Sequence, residues 1–182
     1  LRAKGVEQGD RVAIMLPNVP HFPMVYFGTL RLGATVVPMN VLLTGREVTF
    51  YLENSGAKVI VVWHDFAEAA ITGAEGTDCE VISIHPEEVA GLIGDVEEVE
   101  PDDTAVILYT SGTTGTPKGA ELTHHNIRSN VDSVKSLFNP EETDVFFGGL
   151  PLFHVFGQTV AMNGAASVGA ELTLLPRFDP NK

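Results

Sequence analysis

The run from Tyr109 to Asn126, which reads YTSGTTGTPKGAELTHHN, most constrains what this chain can form. Its first ten residues alternate glycines with hydroxyl side chains and end on the one lysine of the run, Lys118, directly behind Pro117. Glycines let backbone N–H groups turn toward a ligand, hydroxyls add side-chain donors, and the ammonium group supplies positive charge. Because such a segment has little to bury and much to donate, it predicts a loop that binds an anion, with phosphate as the best match.

The residues on either side of this loop indicate where it lies in the fold. The run TAVILY, from Thr104 to Tyr109, is the pattern of a buried strand, and it leads into the loop at its carboxyl end. Ligands of α/β sheets bind at that end. Behind the loop, Thr123 can cap a helix with an apolar stripe at helical spacing. The stripe consists of Ile127, Val131, Val134 and Phe138.

Strand and helix patterns alternate along the remainder of the chain. Thr44 and Glu47 fit a capping box for a helix that Gly56 ends, and Asn18 is a candidate N-cap for an earlier helix. This alternation predicts an α/β fold of layered sheets flanked by helices, with largely parallel pairing. The predicted strands cover residues 11–16, 35–37, 58–63, 81–84, 104–109, 145–147 and 171–175, and the predicted helices cover 18–31, 44–55, 66–71, 87–90, 123–138 and 161–168.

The segment DVEEVEPDD, residues 95–103, interrupts this alternation with six carboxylates in nine residues. A metal site is conceivable there, but the segment lacks imidazole ligands, and a solvated linker is the favoured interpretation. We therefore predict a seam between two lobes near residues 95–103.

Composition limits the classes of partner. Hydrophobic residues make up 44% of the 182 residues and charged residues 19%, which is typical of a globular protein. The net charge of −13 disfavours nonspecific binding to nucleic acid or anionic lipid, so a local feature must capture any anionic substrate. The single cysteine, Cys79, cannot form an intramolecular disulfide, which fits a cytoplasmic protein. No apolar run approaches the roughly 20 residues of a transmembrane helix, and peripheral attachment to a membrane is left open.

The glycine-rich loop does not match two common nucleotide-binding motifs. A Walker A loop requires Gly-Lys followed by Ser or Thr, whereas here Pro117 precedes Lys118 and Gly119 follows it. No Rossmann G-x-G-x-x-G sequence occurs either. A plain glycine-rich surface loop is the alternative, and the strand before, the lysine within and the capped helix behind favour phosphate binding.

The loop as a whole resembles the phosphate-loop signature of the adenylate-forming (ANL) superfamily of AMP-binding enzymes. This superfamily includes acyl-CoA synthetases, firefly luciferase and the adenylation domains of peptide synthetases. Further segments resemble the family in the same order along the chain. The sequences GREVTFYLENSGAKVIV and LPLFHVFG are most similar to those of medium- or long-chain fatty acyl-CoA synthetases. The matching segments are Gly9–Asn18, Gly28–Asn40, Gly45–Val61, Tyr109–Asn126 and Leu150–Gly157.

The resemblance implies a two-step ligase reaction. A carboxylate attacks the α-phosphate of ATP to give acyl-adenylate and pyrophosphate, and the thiol of CoA then displaces AMP to form the thioester. It also implies that the loop holds the phosphates, that Lys118 is a mobile catalytic cation, and that the Thr110 hydroxyl contacts Mg²⁺. The residues assigned to ATP are Thr110, Ser111, Gly112, Thr113, Thr114, Gly115, Thr116 and Lys118.

The resemblance also implies an acyl-binding wall in LPLFHVFG. His154 lies where the family places a histidine or aromatic residue near the acyl carboxylate, so it is a candidate to orient that group or to gate the acyl tunnel. Phe153, Phe156 and Gly157 would line the neighbouring pocket wall, although core packing explains the phenylalanines almost as well. For His124 and His125 at a helix start, local capping or exposure is favoured, and the remaining histidines, His21, His64 and His85, are expected to be structural or exposed.

The family motifs that hold the nucleoside, the magnesium-binding glutamate and the C-terminal catalytic lysine have no counterpart before Lys182. We therefore expect an N-terminal fragment that is inactive alone and belongs to a fatty acid–CoA ligase. An acyl-adenylate former that loads a carrier protein and a non-catalytic nucleotide-binding or interaction module are the alternatives. Self-association through surface left apolar is also open.

Overall fold

A computed structural model describes residues 1–87, 96–110 and 115–176 of the chain. These residues form eight strands and five α-helices in the order expected for alternating α/β units. The strands are β1 (Arg11–Met15), β2 (Thr35–Pro38), β3 (Val59–Trp63), β4 (Glu80–Ile84), β5 (Thr104–Thr110), β6 (Lys118–Thr123), β7 (Val145–Gly148) and β8 (Glu171–Leu174). The helices are α1 (His21–Arg31), α2 (Gly45–Ser55), α3 (Ala67–Ala74), α4 (His124–Phe138) and α5 (Gly164–Val168), and a π-helical segment (Gly157–Asn163) precedes α5.

Six strands form the main sheet in the order β4-β3-β1-β2-β5-β6. The first five are mutually parallel, and β6 pairs antiparallel with β5 at one edge. Strands β7 and β8 form a separate parallel pair. The largely parallel α/β fold predicted from the sequence is therefore confirmed.

The central strand β1 is buried on both faces because its side chains alternate between two hydrophobic cores. Val12 and Ile14 pack in the first core with residues of α1, and Ala13 and Met15 pack in the second core with residues of α2 and α3. Helices thus cover both faces of the sheet, as a parallel sheet requires.

Helix α2 has the caps that the sequence predicts. The backbone N–H and the hydroxyl of Thr44 donate to Glu47 Oε2 at 2.8 and 2.7 Å, and Gly56 ends the helix with a left-handed φ of 63°. Arg11 then covers the open end, since its guanidinium donates to the carbonyls of Ser55 and Gly56. Helix α2 is fixed at both termini.

The prediction that Asn18 caps the first helix is wrong. Pro20 occupies the N-cap position of α1, and Asn18 is buried with all its hydrogen-bonding directed elsewhere. Its amide nitrogen donates to the carbonyls of Gly148 and Leu150 at 3.0 and 2.8 Å, and its Oδ1 accepts from Leu152 N–H at 2.9 Å. A buried, hydrogen-bonded amide therefore joins the end of β1 to a segment 130 to 134 residues away in sequence.

Other boundaries differ from the predictions in smaller ways. The sequence does not predict strand β6, because KGAELT is polar and exposed and has the pattern of a loop. The short helix predicted at residues 66–71 lies at Ala67–Ala74, and the predicted helix at 161–168 is divided between the π-helical segment and α5. Phe138, predicted in the apolar stripe of α4, is 69% exposed, whereas Val131 and Val134 are buried. The predicted turn at residues 87–90 falls mainly outside the described residues.

Residues 96–103 contain no helix or strand and run along the surface. The Glu97 carboxylate forms an ion pair with Arg2, and the Glu97 N–H donates to Arg31 O at 2.9 Å. These two contacts hold the segment against the start of the chain and α1. Since β5 joins the same sheet as β1 to β4, the lobe seam near residues 95–103 stays a prediction. None of the described helices is both long and apolar enough to cross a membrane.

Asn18→Ala should lower the free energy of unfolding by about 2–3 kcal/mol, because it removes the hydrogen bonds of Asn18 to the Leu150 carbonyl and the Leu152 N–H. It also leaves the Gly148 carbonyl with the N–H of Leu175 alone. Urea denaturation followed by the fluorescence of the buried Trp63 measures this change. The matched control is Asn40→Ala, which removes one local bond to Leu42 N–H and should cost about 0.5–1 kcal/mol. Equal losses for the two variants would contradict the assigned role of Asn18.

Glu47→Gln should flatten the acid limb of the stability profile. Hydrogen bonds from the Thr44 backbone and hydroxyl hold the pKa of Glu47 below its usual 4.5. The stabilisation from this carboxylate is therefore complete above pH 4.5 and is lost as the pH falls through the lower folded-state pKa. Denaturation midpoints measured from roughly pH 6 to 3 test this, with Glu53→Gln at an exposed site of the same helix as the control.

Candidate functional site

Two residues assigned to the phosphate loop, Thr110 and Lys118, face each other across the β5–β6 hairpin. They are the last register pair of the hairpin, and both side chains are exposed. Directly opposed residues of an antiparallel pair present their side chains on the same face. The hairpin therefore places a hydroxyl and an ammonium group side by side at the carboxyl end of β5. Lys118 thus begins a strand, whereas the sequence pattern predicts it inside the loop.

The rest of the predicted loop is described in part. Gly115 has a left-handed φ of 83°, a conformation that glycine adopts without strain, and Thr116 is exposed beside it. Ser111, Gly112, Thr113 and Thr114 lie outside the described residues.

The alternation of side-chain directions along β5 determines on which face of the sheet the side chains at the loop ends lie. Val106 and Leu108 pack in the first core, and Ile107 and Tyr109 pack in the second. Thr110 continues the even-numbered series, so its side chain lies on the face of the first core. Leu152 and Phe153 belong to that same core, which places the loop ends and LPLFHVFG on one face of the sheet.

The opposite face of the hairpin is anchored on α2. Tyr109 OH donates to Asn54 Oδ1 at 2.7 Å, and its ring lies 4.1 Å from the ring of Tyr51, centroid to centroid. Gly119, its register partner in β6, has no side chain there, and a Cβ would lie 3.3 Å from Tyr109 Cζ and 2.9 Å from Ile107 Cγ2. Gly119 therefore leaves room for the aromatic ring rather than contacting a ligand. Partial burial raises the pKa of Tyr109.

Thr123 caps α4 as the sequence predicts. Its hydroxyl accepts from Asn126 N–H at 3.1 Å, and Asn126 Oδ1 accepts from Thr123 N–H at 3.0 Å. The N–H groups of His124 and His125 donate to the carbonyls of Asp103 and Pro101. Partial burial lowers the pKa of His124 although nearby Asp103 acts in the opposite direction, so this histidine supplies little positive charge at neutral pH. The two histidines are held at the helix start by their backbone, and neither side chain forms the cap.

The segment LPLFHVFG lies beyond the end of β1 because Asn18 fixes its first half. Gly157 then allows the second half to fold back closely, since a Cβ at this position would lie 2.3 Å from Pro151 O. Gly157 is itself buried, so the structure gives it a packing role. Phe153 is half-buried against the first core, while Phe156 is 54% exposed.

His154 is exposed at the turn of this segment. Its backbone N–H donates to Pro151 O at 3.1 Å, and its carbonyl accepts from Gln158 N–H at 3.0 Å. Its Nδ1 accepts from Phe156 N–H at 3.3 Å. In the neutral ring the proton is therefore on Nε2, which is available as a donor to a ligand.

Three of the predicted site residues thus lie on one face of the sheet, and His154 follows one of them along the chain. Asn18 follows β1, the loop ends follow β5, and β2 alone lies between those strands. Two strand spacings amount to roughly 10 Å, which a substrate of nucleotide size can span. The three residues on this face are Thr110, Lys118 and Phe153, and His154 is next to Phe153 in sequence.

The metal assignment has limited support from the protein's own groups. Among the described residues, no group of three or more His, Cys, Asp or Glu side chains is placed to hold a metal ion. At the described ends of the loop, the protein offers the hydroxyls of Thr110 and Thr116. Such donors fit Mg²⁺ that is carried largely by substrate phosphates and water, and not one held in a dedicated protein cage.

Three features of the site were not found from the sequence. The anchor of Tyr109 on Asn54 joins residues 55 positions apart, and the clamp of Asn18 joins residues even further apart. The third is Gln158 in the π-helical segment, whose buried side-chain amide has no hydrogen-bond partner among the described residues. The π-helix is a recurrent feature of functional sites, but its sequence GQTVAMN carries no signal that distinguishes it from an α-helix.

Comparison with known proteins covers the whole chain. A family model described as "AMP-binding enzyme" matches residues 1–182. A long-chain-fatty-acid–CoA ligase of Mycobacterium tuberculosis is 36% identical over 191 aligned residues, which cover 100% of this chain and 38% of the relative. A long-chain-fatty-acid–CoA ligase of Bacillus subtilis is 31% identical over 99% of this chain and 40% of the relative.

Solved structures share the fold at similar levels of identity. ATP-bound MatB from Rhodopseudomonas palustris matches with a TM-score of 0.88 and 30% identity, over 100% of this chain and 38% of MatB. A long-chain-fatty-acid–CoA ligase from Archaeoglobus fulgidus matches with a TM-score of 0.87 and 30% identity, over 98% of this chain and 37% of the ligase. The chain spans about two fifths of the length of these relatives. Because the family model matches its full length and its fold matches those of solved relatives, the chain belongs to the adenylate-forming, AMP-binding enzyme family.

Proposed function

We propose that the protein containing this chain is an AMP-forming fatty acid–CoA ligase, to which residues 1–182 contribute an incomplete adenylation domain. The observation that carries the proposal is the placement of Thr110 and Lys118 on the same sheet face as LPLFHVFG. Family membership and relatives named long-chain-fatty-acid–CoA ligase support it. ATP, a carboxylic acid and CoA are the substrates of this proposal.

The reaction proceeds in two steps. An oxygen of the fatty acid carboxylate attacks the α-phosphorus of ATP, the bond to pyrophosphate breaks, and acyl-adenylate forms. The sulfur of CoA then attacks the acyl carbon, AMP leaves, and the thiol proton passes to solvent or a base. Negative charge develops on the departing pyrophosphate in the first step, and the donors of the loop are suited to stabilise that charge.

Lys118 supplies that stabilisation in the proposed site. Its ammonium group is exposed, it has no ion-pair partner among the described residues, and it begins a strand whose partner is Thr110. Because the chain carries a net charge of −13, a cation fixed beside the phosphates matters more than the overall field, which repels them. Mg²⁺ bound with ATP would add positive charge, and the Thr110 hydroxyl would contact it.

His154 serves the acid in this proposal. Its Nε2–H is free to donate to a carboxylate oxygen, because Nδ1 is engaged by the backbone of Phe156. Such a bond would fix which oxygen faces the α-phosphate. Phe153 and Phe156 would form the apolar wall along the first carbons of the acyl chain, and the buried Gly157 would support that wall from behind.

ATP–pyrophosphate exchange tests the proposal directly. The whole protein should exchange labelled pyrophosphate into ATP only when a fatty acid is present, and adding CoA should yield acyl-CoA and AMP. A panel of acids of graded length gives the chain-length preference. Absence of exchange with every acid of a broad panel would overturn the ligase assignment, and transfer to a phosphopantetheinyl carrier in place of CoA would indicate a loading enzyme.

Lys118→Ala in the whole protein should lower kcat/KM for adenylation by roughly 10- to 100-fold, since it removes a charge-assisted contact to the phosphates. Lys118→Arg should recover part of the loss. The control is Lys135→Ala, which removes an exposed lysine from the far end of α4 and should leave exchange unchanged. Unaltered exchange in Lys118→Ala would remove this residue from the site.

His154→Ala should raise KM for the fatty acid by roughly 3- to 10-fold while changing KM for ATP by less than about twofold, because one hydrogen bond to the acid is lost. Initial rates of pyrophosphate exchange at varied acid and varied ATP separate the two constants. His125→Ala, at an exposed position whose ring lies by Ser129, is the matched control. An equal effect of His154→Ala on both constants would contradict its placement.

A further inference from the structure

We propose that Tyr109 is a positioning residue for ATP, which acts by fixing the two ends of the phosphate loop on α2 through its hydroxyl bond to Asn54. This inference rests on the proposed function and assigns a role that the loop motif itself does not explain. Tyr109 does not contact the phosphates in this arrangement. It faces the second core, whereas its neighbour Thr110 faces the first.

The geometry of the contact supports an anchor rather than simple core filling. The ring of Tyr109 is only half-buried, lies 4.1 Å from that of Tyr51, and carries its hydroxyl to Asn54 Oδ1 at 2.7 Å. Core packing alone would be satisfied by phenylalanine. Gly119 opposite has no Cβ, so the ring can cross the hairpin and reach the helix.

The other end of the anchor is rigid. Helix α2 carries its capping box at Thr44 and a left-handed Gly56 at its end, and the guanidinium of Arg11 holds its last carbonyls from β1. Asn54 lies one residue before the end of this fixed helix. The bond from Tyr109 to Asn54 therefore connects the loop ends, through α2 and Arg11, to the central strand β1.

The hairpin needs such a support because β6 is an edge strand. Its residues from Lys118 to Glu121 are exposed, and it pairs with β5 alone. The register pair Tyr109 and Gly119 directly precedes the pair Thr110 and Lys118 toward the loop. Motion at the first pair is thus transmitted to the hydroxyl and ammonium groups of the second.

Tyr109→Phe in the whole protein tests the inference, because it keeps the ring contacts and removes only the hydroxyl. KM for ATP in pyrophosphate exchange should rise by roughly 3- to 10-fold, with KM for the fatty acid within about twofold of wild type. Asn54→Ala should give the same split, and combining the two changes should add little, since both remove one bond. Asn54→Asp retains the acceptor and should restore KM for ATP.

Tyr51→Phe is the matched control, since it removes a hydroxyl from the same aromatic cluster without affecting the bond to Asn54. Hydrogen exchange gives a readout that is independent of activity: amides of 118–120 should exchange faster in Tyr109→Phe than in Tyr51→Phe. Unchanged KM for ATP in Tyr109→Phe and Asn54→Ala, with an active wild type, would overturn this inference alone. Absence of ATP–pyrophosphate exchange in the wild type would overturn the proposed function. In that case the anchor would still be rejected if amide hydrogen exchange of residues 118–120 were the same in Tyr109→Phe as in Tyr51→Phe.

Discussion

Burial of β1 on both faces is the constraint on which the rest of the structure depends. A strand with apolar side chains on both faces must have helices on both sides and paired strands at both edges. Because β2 and β3 pair parallel with β1, the carboxyl ends of these three strands lie at the same edge of the sheet. They are Met15, Pro38 and Trp63. The candidate site lies at that edge because β5, pairing with β2, brings the glycine-rich loop there as well.

Polar side chains connect this apolar framework to the site. Asn18 leaves the buried end of β1 and satisfies three backbone groups of the Gly148–Leu152 segment, which places His154. Tyr109 and Asn54 connect the loop hairpin to α2 in the same manner. In both cases one side-chain amide joins two elements distant in sequence, so a local interaction sets the position of a remote group.

The strongly acidic chain does not conflict with the proposed ATP site. A net charge of −13 acts over long range and is screened by salt within about 10 Å, whereas a cation at a phosphate acts at contact distance. Lys118 stands at the loop end of the β5–β6 hairpin on the face of the first core, whereas His124 lies just past the opposite end of β6. A single well-placed lysine is thus the main local source of positive charge in the described part of the loop.

Local sequence determined most of the secondary structure and the family. Strand β3, the capping boxes of α2 and α4, and the left-handed Gly56 follow from short-range patterns, since an apolar run or a cap involves residues within a few positions of each other. The loop signature likewise identifies Thr110 and Lys118 as candidates, because it is defined by residue types at consecutive positions. Where the local pattern is ambiguous the predictions are wrong: the polar strand β6 exists only because β5 pairs with it, and Asn18 satisfies distant carbonyls in place of a helix start.

Only the tertiary structure decided which of the candidate residues share a face. Alternation along β5 can be assigned to one core or the other only when α1 and α2 lie on opposite sides of the sheet. That placement sets Thr110 and Lys118 on the side of LPLFHVFG, and sets Tyr109 on the side of α2. The sequence by itself thus determined the chemistry of the loop, since residue types fix donors and charge. The direction in which that chemistry acts depends on contacts between residues tens of positions apart, which only the folded chain brings together.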